Sequence, residues 1–464
     1  MIVRTGTALA ALALAGCSME PAYVQPALPV PAAWPAGAAY RAADMAALPS
    51  YDYRTVFADP RLQALIDQAL ANNQDVARAV ANIAAARAQF RVQRADLLPQ
   101  VDASASYTRR NGGSTGSGSG GLDLQAGVSG YELDLFGRVR SLTDAARSRY
   151  LASDSAAQAV RLALVADVVE AWLAHAADQS LLAIARDTVK TQAKVVALTR
   201  QRLDGGIAPR TDLRQAQLTL HTAEADAASQ TSAAAQDVNG LQLLVGAPID
   251  PALLSSGIED AGSRLASIPA GIDSGVLLRR PDVVEAEYQL RAANGDIGAA
   301  RAELFPRISL TGLLGAVSGA LTSIFTGGAF TWSASAGVNY PIFRGGAGQA
   351  NVAYNEAQRD ALLADYRKAI QTAFRDVADA LARRGTIDAQ VTALAANRAA
   401  AADNANLAEM RYRGGIDSYL TSLSAQQALY AARRALVQGQ LLRATNRAEI
   451  YRALGADSLL VKHP

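Results

Sequence analysis

The chain has 464 residues, 44 of them Lys or Arg against 42 Asp or Glu, and no basic block breaks that balance, so the electrostatic footprint of a nucleic-acid partner is missing. Hydrophobic residues make up 50% of the chain, but much of that share is alanine and aromatics are only 6%, which suits closely packed helices better than a thick globular core. An ordinary chain of this length forms two or three domains, so an internal repeat is the first thing to look for.

At the N-terminus, Arg4 is followed by an apolar run from Ala8 to Ala15 that is too short to span a bilayer, and residues 1–16 read as a signal peptide. Leu14-Ala15-Gly16-Cys17 resembles the lipobox of bacterial lipoproteins, with small residues to fit the peptidase and a thiol to carry diacylglycerol. Cys17 is the only cysteine and has no disulfide partner within the chain, so residues 17–58 are expected to be a lipid-anchored N-terminal segment. By the same resemblance, Ser18 is compatible with delivery to the outer membrane. No later segment offers about 18 uninterrupted apolar residues, so any membrane crossing must be made of strands.

Residues 59–246 form a first repeat. Asp59-Pro60, a side-chain cap with proline at the first helical position, opens a helix to about Leu97, and Pro99 stops it. Two strands follow. From Phe136 a helical pattern runs to about Leu203, with Leu162, Val165, Val169, Trp172 and Ala176 along one stripe; about 65 residues of helix are roughly 100 Å long. Gly205-Gly206 caps it, and Thr211 or Asp212 starts a further helix to about Val245. A linker, 247–276, leads to a second repeat on the same plan, 277–455, with a long helix from about Gly348 to Arg411, a Gly414-Gly415 turn and a helix from Asp417 to about Leu454, before a tail, 456–464. Four landmarks recur in order. Asp75-Val76 matches Asp282-Val283, Leu98-Pro99 matches Phe305-Pro306 and Phe136 matches Phe343, all 207 residues on, while Gly205-Gly206-Ile207 matches Gly414-Gly415-Ile416 at 209.

The strands alternate. Val101, Ala103, Ala105 and Tyr107 interleave with Asp102, Ser104, Ser106 and Thr108, and Phe330, Trp332, Ala334, Ala336, Val338 and Tyr340 interleave with small or polar residues. Leu122, Leu124, Ala126 and Val128 form a third such strand, and Ile308, Leu310, Gly312 and Leu314 a weaker fourth. One oily and one wet face fits a membrane barrel or a half-buried soluble sheet; the Gly/Ser-rich loops between strands favour the barrel. Four strands cannot close a barrel, so the chain must oligomerise. Three copies give twelve strands; two also reach the minimum, and spacing does not choose.

Catalytic constellations are thin. His175, His221 and His463 lie far apart without metal-ligand spacing, and His175 and His221 read as helix-surface residues. Gly112 to Gly121 lacks the Lys-Ser/Thr ending of a phosphate loop. No enzyme, cofactor or metal is expected, and the competing reading is a periplasmic coiled-helix lipoprotein scaffold without a pore.

Two segments then carry a family resemblance. Arg411-Tyr412-Arg413-Gly414-Gly415-Ile416-Asp417-Ser418-Tyr419-Leu420-Thr421 and Leu277-Leu278-Arg279-Arg280-Pro281-Asp282-Val283 are similar to segments of the TolC-like outer-membrane efflux family, in its NodT/OprM-like lipoprotein branch, and the resemblance covers about residues 50 to 455. It implies a mainly α fold with transmembrane β, a homotrimeric twelve-stranded barrel continued by a long helical periplasmic barrel, and an equatorial region built from the linker and tail. It also implies passive export of drugs or other small molecules together with a periplasmic adapter and an inner-membrane pump of the RND type. The adapter would dock at the tips, Gly205, Gly206, Ile207, Gly414, Gly415 and Ile416. The gate would involve Leu420 and Asp417, and the two positions that form polar ties between protomers in relatives are here Ser424 and Gln427. Closure is therefore expected to be steric and hydrogen-bonded around Leu420 rather than ionic.

Overall fold

The computed structural model describes residues 18–40, 52–110, 119–266, 274–318, 329–455, 457 and 459–460. Cys17 and most of the two strand-joining loops lie outside them. The described chain falls into two compact units: one holds residues 1–27, 81–154 and 285–368, the other 28–80, 155–284 and 369–464.

After a single helical turn, Tyr53–Val56, the first long helix begins as its residues dictate. The Asp59 carboxylate accepts the Arg61 amide at 2.9 Å, with Pro60 in the first turn. The expected single helix to about Leu97 is instead two, α1 (Pro60–Asn72) and α2 (Gln74–Ala95). Asn73 makes the break. Its backbone is extended, its side-chain oxygen accepts from the amides of Asp75 (2.8 Å) and Val76 (3.1 Å), and its amide group donates to the Leu244 carbonyl at 2.9 Å. A local asparagine cap thus competes successfully with helix continuation.

After the break the two repeats agree closely. Strands β1 (Val101–Arg110) and β2 (Ser119–Leu133) lead to α3 (Arg138–Asp204, 67 residues) and α4 (Arg210–Val245, 36 residues). The second repeat has α5 (Pro281–Ala302, 22 residues, as in α2), β3 (Arg307–Ser318), β4 (Phe330–Asn339), α6 (Ala347–Arg413, 67 residues) and α7 (Tyr419–Leu454, 36 residues). In place of a partner for α1, it has a 3-10 turn, Ser274–Arg279.

The four strands form one antiparallel sheet in the order β1-β2-β3-β4, within the first unit. In the second unit Phe57, Leu62, Leu65, Ile66, Trp172, Leu241, Leu277 and Tyr451 are fully buried. Each such side chain contributes about 1.5–3 kcal/mol of transfer free energy. Residues of the linker and tail join this core. The Trp172 indole donates to the Leu253 carbonyl at 3.0 Å, and buried Asp457 accepts the Tyr451 hydroxyl at 2.6 Å and the Tyr53 amide at 2.8 Å.

His175 departs from the surface position expected of it. It is buried, its ring is hydrogen-bonded to the Ala234 backbone, and burial holds its pKa below the usual histidine value. Nearby, the Asp237 carboxyl is pushed up to about 6, first by burial and then by the charge of Asp178 and a hydrogen bond with it. The stripe that contains Leu162, Val165, Val169, Trp172 and Ala176 is wide enough to take the imidazole in, a width that periodicity alone leaves open.

Candidate channel wall and gate

Register decides what the sheet presents. Val101 pairs with Val128, Ala103 with Ala126, Ala105 with Leu124 and Tyr107 with Leu122. Next, Leu124 pairs with Ala316, Ala126 with Leu314, Tyr131 with Leu310 and Leu133 with Ile308. Ile308 pairs with Val338, Leu310 with Ala336 and Leu314 with Trp332. Directly opposed residues share a face, so these pairs form one apolar surface across all four strands. Asp102, Ser104, Asp123, Gln125, Ser309, Thr311, Ser333 and Ser335 occupy the other, where Leu313 and Val317 are apolar exceptions. A register shift between Val128 and Tyr131, with Gly130 at φ +69°, inserts one residue into β2 and keeps the apolar face in phase on both sides of it. Among the described residues no helix is long and apolar enough to cross a membrane.

The helix ends at the Gly-Gly turns, in the second unit, are built alike. Gly206 (φ +70°) and Gly415 (φ +72°) adopt the left-handed conformation that glycine takes without penalty. Ile207 N donates to Arg202 O at 2.8 Å and Gly206 N to Leu203 O at 2.9 Å; Ile416 N donates to Arg411 O at 2.9 Å and Gly415 N to Tyr412 O at 3.0 Å. Both are Schellman caps. Such caps normally bury the residue after the glycine against the helix, whereas here Ile207 and Ile416 are exposed.

The two turns are brought together. Ala216, Tyr412, Tyr419 and Leu423 form a buried cluster that also packs Val195 and Val196, and the Arg202 guanidinium lies 4.7 Å from the Tyr412 ring and donates to its carbonyl at 3.3 Å. Burial, then the charges of Tyr412 and Asp212, pushes the Tyr419 hydroxyl up to about 12. These aromatic contacts were not anticipated from the sequence, although the Arg-Tyr pair before the second Gly-Gly turn is the signal that could have led to them.

Leu420, Ser424 and Gln427 fall on one exposed face of α7, at i, i+4 and i+7. Leu420 is more than half exposed in its protomer. Asp417 is engaged elsewhere: both its oxygens accept from the Arg411 guanidinium, at 2.6 and 3.0 Å, and this hydrogen-bonded pair holds the Asp417 carboxyl below the usual carboxylate value. It clamps the turn ahead of α7, where Ser418 caps the helix. Among the described residues no group of His, Cys, Asp or Glu is placed to hold a metal ion.

A family model described as outer membrane efflux protein matches the chain twice, over residues 65–247 and 274–456, once for each repeat. The chain is 43% identical over 457 residues to the probable efflux pump outer membrane protein TtgC of Pseudomonas putida, covering 97% of this chain and 94% of that one. It is 39% identical to the outer membrane protein OprJ of Pseudomonas aeruginosa, over 96% and 94% of the two chains. The solved open-state MtrE outer membrane channel of Neisseria gonorrhoeae superposes with a TM-score of 0.86 at 34% identity, over 95% of this chain and 98% of that one. With a doubled helical hairpin, a sheet with one apolar and one mostly polar face and matches that span both repeats, the chain belongs to the outer membrane efflux protein family.

Proposed function

We propose that three copies of this chain close a twelve-stranded barrel in the outer membrane and form the exit duct of a tripartite efflux pump. In this reading lipid on Cys17 anchors each copy, a periplasmic adapter docks on the hairpin tips, and an RND-type pump in the inner membrane feeds drugs or other small molecules into the duct. The observation that carries it is the sheet: four antiparallel strands with a continuous apolar face and two edges, in a chain whose described helices offer no apolar span. An edge strand in lipid leaves unpaired N–H and C=O groups that each cost several kcal/mol, so the sheet needs copies of itself. The family resemblance selects three.

The gate follows from the face of α7. In this reading Leu420, an exposed apolar side chain one residue after buried Tyr419, meets its symmetry mates at a constriction, and Ser424 and Gln427 supply uncharged hydrogen-bonding groups beside it. The exposed Ile207 and Ile416 give the adapter two apolar contacts per protomer. Purified protein is expected to run as heat-resistant trimers from outer-membrane fractions and to conduct ions in planar bilayers. Monomers without conductance would overturn the reading.

A further inference from the structure

The internal duplication supplies a template for a contact that a single protomer lacks. Within the chain, the foot of β2 meets the foot of β3: Leu133 pairs with Ile308, and three residues beyond, Phe136 stacks on Phe305 with ring centroids 4.8 Å apart. The repeat offset of 207 maps Phe136 onto Phe343 and Phe305 onto Leu98. These two counterparts lie at the feet of β4 and β1, the sheet's two edge strands, and are left open: Phe343 is 88% exposed and Leu98 68%, against 37% for Phe305 in its stack.

We infer that β4 of one protomer pairs antiparallel with β1 of the next in the register of the β2–β3 foot, placing Tyr340 opposite the partner's Val101, Ala336 opposite the partner's Ala105 and Phe343 against the partner's Leu98. The inference rests on the trimeric-barrel reading and specifies its seam.

Two further constraints agree with this register. The first is parity. It sets Tyr340, Val338, Ala336 and Ala334 opposite the partner's Val101, Ala103, Ala105 and Tyr107, so the apolar face passes unbroken through the seam; a one-residue slip would put Asn339 and Ser335 on that face. The second is tilt. Following pairs across one protomer, Val101 leads to Val128, then Gly312, then Ala334, and the proposed seam returns to Tyr107, a stagger of six residues over four strands. With about 3.3 Å per residue and about 4.8 Å between strands this is a tilt of about 46°, close to the roughly 45° of membrane strands. A register two residues higher gives about 54°, steeper than the typical range of about 35–45°. A register two residues lower gives about 35°, which tilt alone allows, but it would break the equivalence between the two feet.

Cysteine pairs test this in the full-length chain in outer membranes. Opposed residues have Cβ atoms about 4.5–5.5 Å apart and diagonal ones about 7–8 Å, so disulfide formation discriminates between them. Ala336→Cys with Ala105→Cys is expected to cross-link most chains into multimers on oxidation. Ala336→Cys with Ala103→Cys, Ala336→Cys with Tyr107→Cys, and each single variant should give several-fold less. A shifted pair that cross-links best would overturn the register while leaving the barrel reading intact. Heat-resistant trimers in which none of the three pairs cross-links would overturn the β4–β1 seam itself. Absence of any oligomer would instead sink the trimer reading on which the seam rests.

Discussion

Leu420 and Asp417 sit three residues apart at the start of the last helix and differ in what holds them. Leu420 is more than half exposed in its protomer, so Leu420→Ala opens no sizeable cavity in the fold and removes apolar surface from the proposed gate. Closed-state conductance in planar bilayers is expected to rise several-fold, with trimer heat resistance unchanged; an unchanged conductance would assign Leu420 to packing between protomers. Asp417 acts through Arg411. Because its carboxyl is held below the usual value, the clamp is fully present above about pH 4 and is lost as pH falls through the lower, folded value. Hydrogen exchange at the amides of residues 414–418 should therefore accelerate below about pH 4 relative to the intrinsic rate, and Asp417→Asn should show the faster exchange already at neutral pH.

At the scale of elements, two packed junctions carry predictions. Gly246 ends α4 at φ +70°, and a Cβ there would lie 2.6 Å from the Asn72 carbonyl oxygen, a backbone atom that cannot swing away. Gly246→Ala is expected to cost about 2 kcal/mol, from the left-handed backbone and the clash, and to speed proteolysis near residues 72–75 and 246–250. The second junction is that of α3 with α4, where Asp178 and Asp237 come together beside buried His175. The Asp237 carboxyl is raised to about 6, so the stability it contributes as a protonated acid is full below about pH 4 and is lost as pH rises through about 6. Protection of the α4 amides around residue 237 should decline over that interval, and Asp237→Asn should abolish the decline.

The whole molecule works as an assembly, so its predictions concern partners. Ile207 and Ile416 contribute their backbone amides to the two Schellman caps while their side chains are exposed. Ile207→Asp combined with Ile416→Asp is expected to leave trimers and bilayer conductance intact while weakening adapter binding at least about tenfold and lowering the drug resistance of the cell. Preserved resistance would move the docking surface away from the tips.

Much of this was legible in the chain because it is local. Period-2 alternation over residues 101–108 and 330–340, an unbroken helical pattern after Phe136, and glycine pairs at 205–206 and 414–415 each express a steric or solvation preference that acts within a few residues. The duplication was legible because identical local rules are written twice. What the tertiary structure decided depends on groups distant in sequence. The Leu244 carbonyl and the approach of Asn72 to Gly246 fix a break at Asn73 that helix propensity does not show. Burial of His175 depends on the width of a helix stripe, and the meeting of Arg202 with Tyr412 on the packing of two hairpins. The sequence alone thus determined the doubled plan of strands and long helices and that the strands need partners, because those follow from short-range sterics and from the cost of unpaired backbone in lipid. Register, the bulge that keeps one face apolar and the exposed feet of the edge strands came only from the folded chain, because pairing between strands is a long-range choice that alternation by itself leaves open.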